Sequence, residues 1–172
     1  MNIGLFFGTS TGNTEDIADM IKANLGLHDD CVHDVNRLPV ETLLNYDFLI
    51  MGIPTWHIGE MQDDWAILYE DLDQINLGGR QIALFGLGDQ EGYPDTFLDG
   101  MGILYEKLLA RGASGEVGFW PTTGFEFDES KALVGEMFCG LALDTDCQPE
   151  LTEERVDQWC ALLCERMRRL VA

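Results

Sequence analysis

Short apolar runs that alternate with segments of helical spacing limit the possible folds of this chain more than any other feature. The runs at 3–7, 48–53 and 81–85 are apolar at nearly every position. A strand with one solvated face would alternate apolar and polar residues, so these runs indicate strands buried on both faces. Such strands occur in parallel sheets that helices cover on both sides. The sequence therefore predicts an α/β fold with a doubly wound parallel sheet.

The rest of the chain completes five alternations of strand and helix. Further strands are predicted at 31–35 and 114–119, and a strand-like run follows at 140–143. Residues 120–138, which separate the last two of these segments, show neither helical nor strand periodicity. Apolar spacing predicts helices at 14–25, 39–44, 65–75, 98–109 and 152–171. Asp95 and Thr152 are the expected N-caps of the last two helices.

Length and charge restrict the class of protein. The chain has 172 residues, of which 46% are hydrophobic, and this suits one domain over 1–172. The formal net charge is −21, so nucleic acid and anionic membranes, which bind clustered Lys and Arg, are not expected partners. The same charge suits either plain solubility or docking to basic proteins.

The sequence shows neither a targeting segment nor a Cys-x-x-Cys motif. The chain begins without a basic region followed by an apolar one, and no apolar run is long enough to cross a bilayer. We therefore expect a cytoplasmic protein. The five cysteines are odd in number and include no Cys-x-x-Cys pair, which argues against a disulfide framework and against a zinc site.

Ligands of doubly wound sheets bind beyond the carboxyl ends of the strands. The first such loop is Gly8-Thr9-Ser10-Thr11-Gly12-Asn13-Thr14, whose hydroxyls and N–H groups precede a helix and can surround a phosphate. It lacks the lysine of a nucleotide P-loop and the glycine spacing of the dinucleotide fingerprint. Two interpretations stay open from the loop alone: a nest for a terminal phosphomonoester, or an ordinary turn before a capped helix.

Two aromatic residues follow the third and fourth predicted strands. Trp56 stands in Pro54-Thr55-Trp56-His57-Ile58-Gly59, and Tyr93 ends Gly86-Leu87-Gly88-Asp89-Gln90-Glu91-Gly92-Tyr93. Either aromatic taken singly is more often a core residue. Together, at the predicted ligand edge and beside glycines, they could stack on the two faces of a flat ring.

These loops, with Gly140-Leu141-Ala142-Leu143-Asp144, resemble the motifs of long-chain flavodoxins in content and order. The resemblance runs from Ile3 to the final helix. It implies a five-stranded parallel sheet of order 2-1-3-4-5 and an insertion, at about 120–139, that splits the last strand. It also implies FMN as the cofactor.

The resemblance further implies which residues hold FMN. Trp56 would pack on the inner face of the isoalloxazine ring, Tyr93 would stack on its outer face, and the His57 carbonyl would accept a hydrogen bond from flavin N5. Histidine after the tryptophan departs from the Asn, Gly or Asp common in relatives. The implied cofactor contacts are Thr9, Ser10, Thr11, Gly12, Asn13, Thr14, Pro54, Thr55, Trp56, His57, Ile58, Gly59, Leu87, Gly88, Asp89, Gly92, Tyr93 and Asp146.

The implied function is that of a non-enzymatic, low-potential one-electron carrier. By resemblance it would shuttle between flavin semiquinone and hydroquinone, as a monomer without a metal. The implied partners are a flavodoxin/ferredoxin-NADP reductase, pyruvate oxidoreductase or nitrogenase reductase. The alternative is an FMN-dependent NAD(P)H or quinone reductase on the same fold. Tyr93 would block nicotinamide stacking, and the sequence shows no basic cluster that could bind a pyrophosphate. The electron-carrier function is therefore favoured over the reductase.

Overall fold

The computed structural model describes all 172 residues and contains four α-helices and nine strands. In chain order these are β1 (Ile3–Phe7), α1 (Asn13–Leu25), β2 (Val32–Asp34), β3 (Phe48–Trp56), β4 (Glu60–Met61), α2 (Asp63–Asp71), β5 (Gln81–Leu87), α3 (Asp99–Ala110), β6 (Trp120–Pro121), β7 (Leu133–Val134), β8 (Met137–Phe138), β9 (Gly140–Leu143) and α4 (Thr152–Leu170). None of the helices combines the length and the apolar character that a bilayer crossing requires.

Five parallel strands form the central sheet in the order β2-β1-β3-β5-β9. Counted along the chain, these are strands 2-1-3-4-5, so the predicted α/β class and strand order are confirmed. Two features add to the prediction. The short strand β4 pairs antiparallel with the end of β3, and β6, β8 and β7 form a separate three-stranded antiparallel sheet.

The strand predicted at 114–119 is wrong in its bounds. Only Ser114 pairs there, in an isolated parallel bridge to Gln81, and Glu116–Gly118 is a 3-10 helix. The fifth parallel strand is β9, which pairs with β5 from Leu84 to Leu87. The two stretches that lie beside β5 are therefore separated along the chain by residues 115–139.

Two predicted helix caps are also wrong. Helix α3 begins at Asp99, four residues after Asp95, behind Leu98 in the left-handed region at φ 60°. Thr152 is the first residue of α4 and not its cap, and its Oγ1 is buried without a partner. The segment at 39–44 is a 3-10 helix, Val40–Asn45, preceded by Pro39.

Neighbouring residues of β5 determine the sides on which two helices lie. Phe85 contacts Trp159 of α4, with ring centroids 6.4 Å apart. At the next residue, Gly86, an added Cβ would lie 3.1 Å from Cβ of Met101 in α3. Successive residues of a strand point to opposite faces, so α3 and α4 cover opposite sides of the sheet. None of the five parallel strands carries an exposed large apolar side chain, as the continuous apolar runs predict.

Candidate cofactor site

Loops that follow four of the parallel strands surround one cavity of about 340 Å³. They follow β1, β3, β5 and β9, at the carboxyl edge of the sheet where the sequence predicts the ligand site. The volume is within the ~300–1,000 Å³ typical of cofactor pockets. The lining residues are Thr11, Asn13, Thr14, Pro54, Thr55, Trp56, His57, Leu87, Gly88, Asp89, Tyr93, Thr145 and Asp146.

The start of α1 lines the cavity through Asn13 and Thr14. The residue before the helix, Gly12, has φ 91° and offers no side chain to cap it. Its N–H donates to Thr9 Oγ1 at 2.9 Å, which closes the loop into a tight turn. The first N–H groups of a helix have no partner within the helix and carry partial positive charge. Together with Thr11, Asn13 and Thr14 they can bind an anion without a basic side chain.

Trp56 is the last residue of β3 and also lines the cavity. Its indole N–H is buried and has no hydrogen-bond partner. His57 follows with φ 42° and Gly59 has φ 76°, so the chain turns sharply back into β4. The His57 ring lies beside the indole, with centroids 6.0 Å apart. An unpaired buried donor is costly, and its position here fits a site that a polar ligand or water completes.

Tyr93 comes from the loop after β5 and remains 41% exposed while it lines the cavity. The loop is folded around Asp89, whose Oδ1 accepts the N–H groups of Glu91 at 3.1 Å and Gly92 at 2.7 Å. A Cβ on Gly92 would lie 2.3 Å from the same carboxylate. The glycine is therefore required by this turn, and the turn presents Tyr93 to the cavity.

The loop after β9 is organised by Asp144, which has no exposed surface. Its Oδ1 accepts the N–H groups of Asp146 at 3.2 Å and Cys147 at 2.9 Å. Asp146 lines the cavity, and burial raises the pKa of its carboxyl, with the charges of Asp89 and Asp144 adding to the effect. The Cys147 thiol lies 3.4 Å from Asp89 Oδ1, and burial first of all raises its pKa to about 11. The thiol is therefore protonated at neutral pH and is a poor nucleophile.

Twelve of the eighteen residues predicted as cofactor contacts line the cavity: Thr11, Asn13, Thr14, Pro54, Thr55, Trp56, His57, Leu87, Gly88, Asp89, Tyr93 and Asp146. Thr9, Gly12, Gly59 and Gly92 instead shape the turns around it. Ser10 lies toward Gln62, whose Nε2 is 3.4 Å from its hydroxyl, and Ile58 is 77% exposed.

Thr145 lines the cavity and was missed from the sequence. The signal that could have found it is its place two residues after the predicted run 140–143, the same spacing that separates Thr55 from the predicted run 48–53.

The residues present fit FMN. Unpaired N–H groups and hydroxyls at one end suit a phosphate, and the two aromatic residues from neighbouring strands suit a flat ring. The lining includes neither Lys nor Arg. The phosphate would therefore be held by helix N–H groups and not by a basic side chain.

Comparison with known proteins gives one consistent result. The family model described as Flavodoxin matches residues 5–159. The chain is 52% identical to the flavodoxin of Synechocystis sp. over 159 residues, 91% of this chain and 92% of that one. It is 47% identical to flavodoxin 1 of Escherichia coli over 165 residues, 95% and 93% of the two chains. The crystal structure of Fusobacterium nucleatum flavodoxin bound to flavin mononucleotide matches with a TM-score of 0.88 at 30% identity, over 96% of this chain and 99% of that one.

Proposed function

The chain belongs to the flavodoxin family, and from this premise we propose that it carries single electrons between redox proteins on a non-covalently bound FMN. It is an electron-transfer protein and not an enzyme. One observation supports this most directly: a single cavity joins an uncapped helix start to two aromatic residues from neighbouring strands. That arrangement suits a ligand that is a flat ring at one end and a phosphate at the other.

Three residues of the first loop would hold the phosphate. Thr14 is buried, and Thr11 and Asn13 line the cavity beside the free N–H groups of α1. Hydrogen bonds to a charged group are worth about 1.5–3 kcal/mol each. Two or three of them provide enough affinity to hold a small cofactor without a covalent bond.

Trp56 and Tyr93 would enclose the flavin ring and exclude water from its faces. When bound, FMN accepts and releases electrons one at a time. Asp89 and Asp146 line the same cavity, and no cationic side chain offsets them. Their charge disfavours further negative charge on the ring, which lowers the potential of the second reduction step. The His57 carbonyl, at the turn with φ 42°, would accept a hydrogen bond from flavin N5–H.

A hydride-transferring reductase is the weaker candidate on the same fold. Such an enzyme needs room for a nicotinamide on the ring and cationic groups for its phosphates. Tyr93 stands where the nicotinamide would stack, and the lining residues include no Lys or Arg. No feature of the cavity favours this alternative.

Other redox proteins with basic surfaces are the partners we propose. A formal net charge of −21 attracts such surfaces and raises association rates. NADP-linked flavodoxin/ferredoxin reductases, pyruvate oxidoreductase and nitrogenase reductase are proposed examples, with the chain acting as a monomer. We propose the cytoplasm as its location, because all five cysteines are free thiols and disulfides persist in oxidising compartments.

Cofactor binding tests this function directly. We expect the purified protein to show flavin absorption, and its apoprotein to bind FMN at least ~100-fold more tightly than riboflavin, which lacks the phosphate. Binding should quench tryptophan fluorescence through Trp56, and replacement of Trp56 with Phe should remove most of this quenching. A colourless protein that takes up neither flavin would contradict the proposal. Sustained NAD(P)H oxidation by the pure holoprotein would favour the reductase instead.

A further inference from the structure

The segment between β6 and β9, residues 122–139, holds the loop that carries Tyr93 at two points. We call this segment the insertion and residues 88–96 the tyrosine loop. The N–H of Glu126 donates to Gln90 Oε1 at 2.7 Å. The N–H groups of Asp128 and Glu129 both donate to the Pro94 carbonyl, at 2.9 and 3.0 Å. Tyr93 therefore lies between two attachment points that the insertion supplies.

An apolar contact fixes the insertion beside this loop. Phe97, which follows the tyrosine loop and is 1% exposed, is surrounded by three phenylalanine rings of the insertion. The centroid distances are 5.7 Å to Phe125, 5.5 Å to Phe127 and 5.9 Å to Phe138. Aromatic pairs at such distances stabilise beyond the area they bury. The insertion is thus a fixed support on which the polar contacts to Gln90 and Pro94 are made.

Gln90 joins this support to the loop after β9. Its side chain is 5% exposed, and its Nε2 donates to Asp144 Oδ2 at 2.8 Å. Its own N–H donates to the same oxygen at 3.0 Å. The other oxygen of Asp144 accepts the N–H groups of Asp146 and Cys147. One glutamine amide therefore connects three segments, two of which line the cofactor cavity.

We propose that Gln90 is a positioning residue for the flavin site, an inference that rests on the function proposed above. Gln90 does not line the cavity, so it would act through the loops that it joins. By holding the tyrosine loop against Asp144 and the insertion, it presents Tyr93 to one face of the ring and keeps Asp146 at the ring's edge. The insertion thereby becomes part of the cofactor site without touching the cavity.

This position needs a side chain with a donor at one branch and an acceptor at the other, as a neutral amide provides. The side chain must donate to a buried carboxylate at one end and accept from a backbone N–H at the other. Replacement of Gln90 with Met keeps the length of the side chain but removes both bonds. The Glu126 N–H then loses its acceptor and Asp144 Oδ2 keeps one donor instead of two. Unpaired polar groups at these positions favour a loosened tyrosine loop.

The decisive experiment compares Gln90→Met with the control Trp159→Phe. The control removes a buried hydrogen bond of 2.9 Å, from the indole N–H to the Gly118 carbonyl, between two residues that do not line the cavity. For Gln90→Met we expect the dissociation constant of FMN to rise at least ~10-fold. For Trp159→Phe we expect a lower unfolding temperature and a dissociation constant within about twofold of the unmodified chain.

Hydrogen exchange of the apoprotein provides a readout that needs no flavin. Amide exchange at Glu126 and Cys147 should speed up in Gln90→Met and stay slow in the control. A third variant, Gln90→Glu, should bind FMN more weakly than the unmodified chain at neutral pH. This difference in FMN affinity should shrink at lower pH, because a protonated carboxyl can again donate to Asp144.

Two outcomes would overturn the proposal: unchanged FMN affinity in Gln90→Met, or an equal loss of affinity in Trp159→Phe. If the unmodified chain binds no FMN, the proposed function fails. The exchange rates of the apoprotein would then still decide whether Gln90 holds the loop.

Discussion

At the scale of single residues, His33 is an example of a titratable group that folding places among aromatic rings. It stacks on Phe6 with centroids 5.0 Å apart, and its Nε2 lies 2.7 Å from the Tyr46 hydroxyl. Burial lowers the pKa of the imidazole, and the charge of Asp30 opposes this only in part. The folded chain therefore favours the neutral ring more than the unfolded chain does.

The sign of the pH effect follows from this lowered pKa. An unfolded histidine takes up its proton near pH ~6.5, whereas folded His33 does so at lower pH. Between these two values the unfolded state binds more protons, so stability is lost as pH falls. We expect the free energy of unfolding to drop more for the unmodified apoprotein than for His33→Phe between about pH 7.5 and about pH 5.5. Urea unfolding at a series of pH values measures this difference.

A control separates His33 from the general acidity of the chain. The variant His28→Asn changes an exposed histidine and should follow the unmodified protein. Parallel pH curves for His33→Phe and the unmodified chain would show that the imidazole does not contribute.

Thr55 and Thr145 illustrate which site residues the sequence could and could not supply. Thr55 lies near the end of β3, two residues after the apolar run 48–53, so its place at the cavity was predictable. Its second role was not: its Oγ1 accepts the N–H of Gly100 at 3.1 Å and so caps α3 in place of Asp95. That contact joins residues 45 positions apart, and local cap rules cannot detect it. Thr145 was missed although a strand-like run was predicted at 140–143, because only Asp146 was assigned to the cofactor from the loop that follows this run.

At the scale of elements, two segments lie beside β5, and only one of them pairs with it as a strand. In the strand predicted at 114–119, Gly118 approaches β5 so closely that an added Cβ would lie 3.0 Å from Cα of Ala83. This segment forms a 3-10 turn and not a paired strand. Gly140 also approaches β5 closely, since an added Cβ would lie 2.3 Å from the Leu84 carbonyl oxygen, and there the chain does pair. Sequence periodicity alone cannot decide which of two neighbouring segments pairs with β5.

The start of α1 gives a prediction that belongs to the whole helix. Glu15 is exposed in its first turn, where a negative charge stabilises the helix dipole but repels a phosphate bound at the same end. Glu15→Gln should therefore lower the free energy of unfolding of the apoprotein by about 0.3–1 kcal/mol. It should also tighten FMN binding by about two- to fivefold. Urea unfolding and FMN titration measure the two effects.

Helix α4 offers the matched control. Glu153 is likewise exposed in a first turn, but α4 begins away from the cavity. Glu153→Gln should cost similar stability and leave FMN affinity unchanged. If Glu15→Gln weakened FMN binding, the helix start would not be the phosphate site.

At the scale of the whole molecule, acidic groups far outnumber the ion pairs that offset them. The chain carries 31 acidic and 10 Lys or Arg residues. Three surface ion pairs form: Lys22 with Asp29, Lys107 with Asp73, and Arg169 with Glu165. Pairs of this kind contribute about 0–1 kcal/mol each. The remaining excess of negative charge is spread over a surface of 8219 Å² and opposes the compact state.

Added salt should therefore stabilise the apoprotein. Raising NaCl from about 0.01 M to about 0.1 M shortens the screening length from about 30 Å to about 10 Å, which weakens long-range repulsion more than close pairs. Each kcal/mol of repulsion that is screened should raise the unfolding temperature by about 2–4 °C. The rise should be smaller at about pH 5, since the sequence pI is about 4.1 and less charge then needs screening. An unfolding temperature that falls with salt at neutral pH would mean that the three ion pairs outweigh the net charge. The same screening should slow docking to basic redox partners, so the charge that costs stability is the charge that speeds electron delivery.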